Sequence, residues 1–467
     1  MYQEFGCEAC MNADKQLEGF IDGPPLEASH DGVDSRTTKC AFGLQGVCCK
    51  LCTNGPCHIT PDSPMGICGA DAKVIVGRIF LKAVTVGSGC YIHLLEKTAR
   101  NLKNTAQAGG ELKGNAALDR LGEIFGIEEH DDHKLAIHVA DAVIEDIYRP
   151  DFEHMALIQK LAYAPRYRKW EELGIIPGGA KSEVFDGMVK SSTKLNSDPT
   201  YMLLHCLRLG ISTGIYGLFL TNLLNEVMLG DPVNLLPNDG DSNTLTGVSE
   251  VSLKKFLGGS FTTMIELIVS GKIKGVAGVI GCSNLTAGGH DVITAALIKD
   301  LISRDIIVLA TGCNSGGIEI YSLMTTEAAE LAGPNLKEAC KSLDMPPVLN
   351  FSPCLAIGLL ETAVTELAEA LKIDTPQLPL VFSIAQLLEE QALADGAFGL
   401  ALGLPLHLGL PPFATGSPMA INILTDRMKD LTGGQVVISH DVKETANILE
   451  LIILEKRAAL GLLNPKS

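Results

Sequence analysis

The chain is short of positive charge, of long unbroken apolar runs and of any secretory leader. Its 467 residues include 37 Lys and Arg against 55 Asp and Glu, a net charge of −18. A field of that sign repels phosphate backbones and anionic lipid surfaces, so neither nucleic acid nor a membrane is expected as a partner. The most apolar stretch, Leu203 to Leu224, is broken by His205, Arg208 and Asn222. A second, Ala397 to Ala414, is broken by Pro405, His407, Pro411 and Pro412, and neither reads as a membrane span. Without a leader, the cysteines are expected in a reducing interior where thiolates are free for metal, which makes the cytoplasm the default compartment. At this length, and with 46% hydrophobic residues, two or three domains can each bury a core.

What the chain has in quantity is sulfur. Six of its fourteen cysteines stand between Cys40 and Cys68, in CAFGLQGVCCKLCTNGPCHITPDSPMGICGA. Cys49, Cys52, Cys57 and Cys68 follow the order CxxC, then four residues, then ten. Disulfides suit small secreted chains short of core, which this is not. Zinc prefers two well-separated pairs of cysteines that close a tetrahedron, whereas three of these crowd into nine residues. A compact arc with a Gly55–Pro56 turn better suits a [4Fe-4S] cluster wrapped by backbone. Cys40 and Cys48 remain. Neighbours such as Cys48 and Cys49 point different ways, so they are expected to serve different centres. Two thiolates cannot hold a cluster alone, but a second copy of the chain can supply two more across a two-fold axis. Cys7 and Cys10 form a further CxxC, read as loose terminal residues.

From Ala72 to about Met228 the pattern is helical, in long amphipathic runs such as KLAIHVADAVIEDIYR. Gly230 to Gly247 is a turn-rich connector. Beyond it, β-branched runs alternate with helices, which predicts a parallel sheet with helices on both faces. The predicted class is thus α plus α/β. An iron-sulfur segment at 1–71 precedes a helical domain at 72–232 and a Rossmann-like domain at 248–467. Three predicted strands run into cysteine, at Cys282, Cys313 and Cys354, each beside a Gly or Pro. Residues just past the carboxyl ends of parallel strands gather in one crevice, so these three are expected to form a second metal site. Cys90, Cys206 and Cys340 sit in helical runs and read as core.

The run RTTKCAFGLQGVCCKLCTNGPCHI, with GICGADAKVIVGR after it, closely resembles the amino terminus of the anaerobic nickel-iron carbon monoxide dehydrogenases. The resemblance continues through LGIIPGGAKSEVFDGMVKSS and LRLGISTGIYG, and GCSN, TGCNS and FSPC match cysteine motifs of the active-site cluster. It implies an intersubunit [4Fe-4S] or [2Fe-2S] cluster on Cys40 and Cys48 of a homodimer, and a [4Fe-4S] cluster on Cys49, Cys52, Cys57 and Cys68. It also implies a cluster on Cys282, Cys313 and Cys354, a proton-transfer role for His93, and a ferredoxin-like electron carrier as partner.

The chain departs from that family at several points. Members carry a further α/β domain between the helical domain and the segment near Val248, with a histidine and two cysteines of the active-site cluster; here LGDPVN runs almost directly into VSEVSLKKFLGG. His290 is a candidate substitute ligand. Gln391 stands where the family has a lysine, and an amide offers no positive charge to a growing anion. Thr213 replaces a carboxylate of the proton network. These losses disfavour nickel and the interconversion of carbon monoxide and carbon dioxide. They leave a small-molecule oxidoreductase as the expectation. Hybrid-cluster proteins, relatives that reduce hydroxylamine, point to hydroxylamine or nitrogen oxides as trial substrates. The alternative is a non-catalytic electron relay, redox sensor or metal-delivery protein.

Overall fold

The structure is a computed structural model that describes residues 39–192, 196–230, 248, 250–287, 291–351, 353–410 and 413–462. Cys7, Cys10, His290 and the connector after Gly230 lie outside the described residues.

The cysteine-rich segment has little regular structure. Strand β1 (Cys48–Cys49) pairs antiparallel with β2 (Cys57–His58), Cys49 opposite Cys57 and Cys48 opposite His58. Opposed residues of a ladder share a face and adjacent residues do not. Cys49 and Cys57 therefore stand side by side while Cys48 faces the other way. The segment docks on the loop at 413–416: the Gly416 amide donates to the Gln45 carbonyl at 2.9 Å. Gly46 lies there at φ +70°, where a Cβ would strike the Phe413 carbonyl.

The helical part begins with α1 (Ala72–Gln107), 36 residues long, whose first turn is capped by the Asp71 carboxylate accepting from the Val74 amide at 3.1 Å. Helix α2 (Ala180–Lys190) and helix α3 (Pro199–Ser212) follow. In α3, Pro199 occupies the first turn, where its missing N–H costs nothing, and Asp198 caps the Thr200 and Tyr201 amides. The chain then continues through a π-helical stretch (Thr213–Leu220) into a last helical segment (Thr221–Leu229). The 36-residue α1 and the composite helix Pro199–Leu229 are long and apolar enough to cross a membrane, yet 67% and 83% of their most apolar windows are buried inside the protein. Their hydrophobicity is that of a core.

After the connector come β3 (Gly275–Ile280), β4 (Ile306–Thr311), β5 (Val348–Asn350), helix α4 (Ile357–Leu371), β6 (Leu380–Ile384), helix α5 (Glu390–Ala401), β7 (Pro405–Leu408), β8 (Gln435–Ile438) and helix α6 (Val442–Ala459). All six strands run parallel in the order β5-β4-β3-β6-β7-β8. Every residue of β3, β4, β5, β6 and β7 is buried, as a sheet covered on both faces requires. The chain starts in the middle of the sheet, winds outward through β4 and β5, then crosses back to β6. That is the doubly wound arrangement, and its crevice lies outside the carboxyl ends of β3 and β6. The class expected from the sequence, helical part plus parallel α/β part, is the one found. Buried apolar residues form one continuous cluster from Ala70 to Ile453. Across it the Trp170 indole donates to the Ala401 carbonyl at 2.7 Å, and buried Arg166 pairs with Asp374.

Candidate metal centre

Two groups of thiols are candidates, one at each end of the argument from sequence. Every described cysteine is a free thiol. In the first group, Gly66 packs beside Cys57, whose sulfur lies 3.5 Å from where a Cβ on Gly66 would stand. Cys68 ends the set in a tight turn, with the Gly66 amide donating to the Ala70 carbonyl at 2.8 Å. The Ala70 amide and, after a smaller opposing effect of burial, the Arg78 guanidinium hold the Cys68 thiol below its ordinary range. Arg78 is only 3% exposed; its Nη2 donates to the Asn196 carbonyl at 2.9 Å, and its Nε and Nη1 have no hydrogen-bond partner. A buried cation with idle donors beside Cys68 fits an anionic thiolate cluster, because an unpaired charge is costly away from water. Cys40 is exposed and Cys48 half-buried, positions open to a second chain.

The second group stands on the switch point. Cys282, Cys313 and Cys354 each follow the end of β3, β4 or β5 within four residues. Gly281 and Gly312, just before the first two, have φ of +118° and +114°, and a Cβ on Gly312 would meet the Gly281 carbonyl oxygen at 2.5 Å. Only glycine lets the two loops pass this closely. The third loop is tied in by the Thr311 hydroxyl donating to the Pro353 carbonyl at 2.8 Å. The loop after β6 closes over the first: Asn284 donates to the Leu387 carbonyl at 2.7 Å, and the Leu388 and Glu389 amides point at the Cys282 sulfur.

The three thiols sense one another. Burial, and then the neighbouring Asp395 and the other two cysteines, push the Cys354 thiol up to about 12, although the Cys313 amide donates to it. Burial likewise raises Cys282, with Cys313 adding to the effect. Cys282 is buried, Cys354 half-buried and Cys313 exposed. Three clustered thiols, with no cation among the leading influences on Cys282 and Cys354, have the chemistry of a metal donor set. Orphaned polar groups border the same loops: Ser283 Oγ and both amide atoms of fully buried Asn314 lack hydrogen-bond partners. Three ligands fit an iron-sulfur cluster with one open iron.

Other expectations resolve as follows. His93 lies on the exposed face of α1, about 200° round the helix from Tyr91. The histidine expected beside the trio therefore faces outward, and Tyr91 takes the inward place. Thr213 is buried, its hydroxyl donating to the Leu209 carbonyl at 2.9 Å and lying 2.8 Å from Ser88 Oγ. Gln391 is half-buried in the first turn of α5. Cys206 and Cys340 are buried as expected, but Cys90 is exposed, since its position on α1 falls outside the packed stripe. A further set with metal-ligand chemistry, Glu183, Asp186 and His205, has ligand atoms within 4.8 Å of one another. Its carboxylates already carry Arg208 and Lys190, so it is an internal ion network.

Sequence reasoning missed Asp395. It is 2% exposed, and its one hydrogen bond is from the Tyr91 hydroxyl to Oδ2 at 3.3 Å; Oδ1 has no partner. The signal was there, a lone acid in the otherwise apolar helical run ALADGAFGLALG.

A doubly wound sheet with clustered thiols at its switch point, joined to a helical part and a thiol-rich arc, defines a protein of the α plus α/β class with two thiol-rich candidate metal sites. The chain belongs to the Prismane/CO dehydrogenase family, whose model matches residues 47–240 and 234–443. A carbon monoxide dehydrogenase of Methanocaldococcus jannaschii is 33% identical, over 97% of this chain and 100% of that protein. One of Methanopyrus kandleri is 32% identical, over 98% of each. The first alignment has 621 positions against the 467 residues here, so well over a hundred positions of the relative face a gap. The family match divides at 234–240, inside the turn-rich connector. The fold is shared with carbon monoxide dehydrogenase IV from Carboxydothermus hydrogenoformans, at a TM-score of 0.91, 21% identity and coverage of 98% of this chain and 99% of that one. A nickel-free carbon monoxide dehydrogenase from a Thermococcus species has a TM-score of 0.90 at 23% identity, covering 97% of each chain.

Proposed function

We propose that the chain is an iron-sulfur oxidoreductase that performs redox chemistry on a small molecule at a cluster held by Cys282, Cys313 and Cys354. The observation that carries the reading is the convergence of these three thiols on the switch point of the sheet, with idle polar groups around them. When bound, the clusters supply single electrons and, at the trio, an open iron for a ligand. The chain's own residues do the rest. Cys49, Cys52, Cys57 and Cys68, beside Arg78, hold a [4Fe-4S] cluster; Cys40 and Cys48 share an interface cluster with a second copy; a ferredoxin-like carrier exchanges electrons there. His93, exposed on α1, exchanges protons with solvent.

Carbon monoxide is disfavoured as substrate and nickel as metal. Gln391 brings no charge to a developing anion, and the gap at the connector removes the segment that holds further ligands in the resembling family. Hydroxylamine is the first trial substrate, and the cytoplasm the assigned compartment. The test is stopped-flow oxidation of the dithionite-reduced, iron-reconstituted protein. Hydroxylamine should reoxidise it in the wild type and not in Cys354→Ser. Equal rates in the two proteins would remove the trio from the reaction, and reoxidation by no small molecule would make the chain a relay or sensor.

A further inference from the structure

A buried carboxylate needs a cation or several donors, and Asp395 has neither: one Tyr91 hydroxyl at 3.3 Å, and an oxygen with no partner, at 2% exposure. Among the described residues, no cation is a leading influence on it. His205 and Arg208 of α3 are engaged with Glu183. His407 of β7 is bonded to Ser383 and Ser439. From α1, Tyr91 meets it. Among the described residues, the leading electrostatic influences on Tyr91, Cys282 and Cys354 include no cation either, only Asp395, the thiols and Glu389. The group that survives in such a place is the neutral acid, and burial does hold the Asp395 carboxyl well above the usual carboxylate range.

Its location gives that proton a use. After burial, Asp395 is the leading influence on Cys354, and Tyr91 feels both Cys354 and Cys282. Gln391 stands one turn earlier on α5, so the two share a helix face. The register is fixed from α1: Gly87 accepts the backbone of Glu390 and Gln391, where a Cβ would meet the Glu390 carbonyl oxygen at 2.3 Å, and Tyr91, one turn on, meets Asp395.

We propose that Asp395 is a carboxylic acid which, held by Tyr91 and together with Gln391, presents neutral hydrogen-bond donors to a small uncharged molecule carrying an acceptor oxygen or nitrogen at the Cys282–Cys313–Cys354 crevice. The inference rests on the proposed cluster there and names the ligand class: uncharged acceptors, with small anions disfavoured by the thiolates and by the absence of a cationic side chain among the leading influences on the described residues of the site.

Infrared spectroscopy at neutral pH on the reconstituted protein should show the carbonyl stretch of a protonated acid that Asp395→Asn abolishes. Absence of such a band overturns the assignment. Titration with hydroxylamine, followed by the paramagnetic resonance signal of the crevice cluster, should need about tenfold more ligand in Asp395→Ala and much the same amount in Asp395→Asn, which keeps a neutral donor. Nitrite, an anion of similar size, should leave the signal unchanged. Equal hydroxylamine binding in wild type and Asp395→Ala, or nitrite binding as well as hydroxylamine, overturns the inference while leaving the cluster in place. Wild-type protein with no crevice signal overturns the functional reading itself, and the infrared band then still reports the state of Asp395. Should Asp395→Ala fail to fold, Asp395→Asn and Tyr91→Phe carry the comparison. Tyr91→Phe should shift the acid band; an unshifted band would overturn the part given to Tyr91.

Discussion

At the scale of single residues, charge and burial decide most of what can be predicted. His407 is 1% exposed; its Nε2 faces the Ser439 carbonyl at 3.0 Å, so that nitrogen carries the proton and Nδ1 accepts from Ser383. Burial drops its pKa from 6.5 to about 4. The folded state resists a proton that the unfolded chain accepts, so stability is complete above pH 6.5 and falls as pH drops toward 4, by roughly 3 kcal/mol. Denaturant titrations at several pH values should show this slope in the wild type and a shallower one in His407→Gln. Arg78 yields a second prediction. Its positive charge beside Cys68 favours the reduced, more negative state of a cluster there. Arg78→Gln should lower the midpoint potential of the amino-terminal cluster and Arg78→Lys should keep it closer to wild type, as measured by redox titration with paramagnetic resonance. Residue-level legibility was uneven. Cysteines announce themselves by spacing, but Tyr91 and Asp395 become a pair only because α1 and α5 lie side by side, a contact 304 positions apart in the chain.

At the scale of elements, α5 is the piece to perturb. It is notched into its neighbours by glycines: Gly87 of α1 receives Glu390 and Gln391, and Gly210 of α3 receives Ala397 and Phe398, where a Cβ would come within 2.6 Å of the backbone. Gly87→Ala must push α5 away from α1, at about 1–3 kcal/mol. It should also separate Asp395 from Tyr91, so the acid carbonyl band should shift even though neither residue is changed; an unchanged band and melting temperature would contradict the packing. The strand-then-helix alternation was readable because fully buried parallel strands are continuous runs such as GVAGVI and IIVLAT. The same pattern placed three cysteines at strand ends. What period and composition could not supply was rotation about a helix axis in its tertiary setting. His93 and Tyr91 are two residues apart, and only the packing of α1 decides which faces in.

At the scale of the whole molecule, the chain keeps a family fold while its sequence omits a domain's length of the relatives it aligns with. The two parts share one core and are joined by the Arg166–Asp374 and Trp170–Ala401 contacts, so the loss does not leave them as separate bodies. The proposed homodimer belongs to this scale. Cys48 faces away from the Cys49–Cys57 pair and Cys40 is exposed, and Cys48→Ala should weaken the dimer in sedimentation while the Cys49 centre keeps its spectrum. An unaltered dimer would remove the bridging assignment.

The most direct measurement is iron and acid-labile sulfide per chain, with paramagnetic resonance, on protein prepared and reconstituted without oxygen, compared with a variant carrying Cys282→Ser, Cys313→Ser and Cys354→Ser. The account predicts about eight irons per chain or somewhat more in the wild type, with about four lost in the variant and the amino-terminal signal retained. An iron content of about four to six that the triple substitution leaves unchanged would mean that the crevice holds no cluster, and would contradict the account.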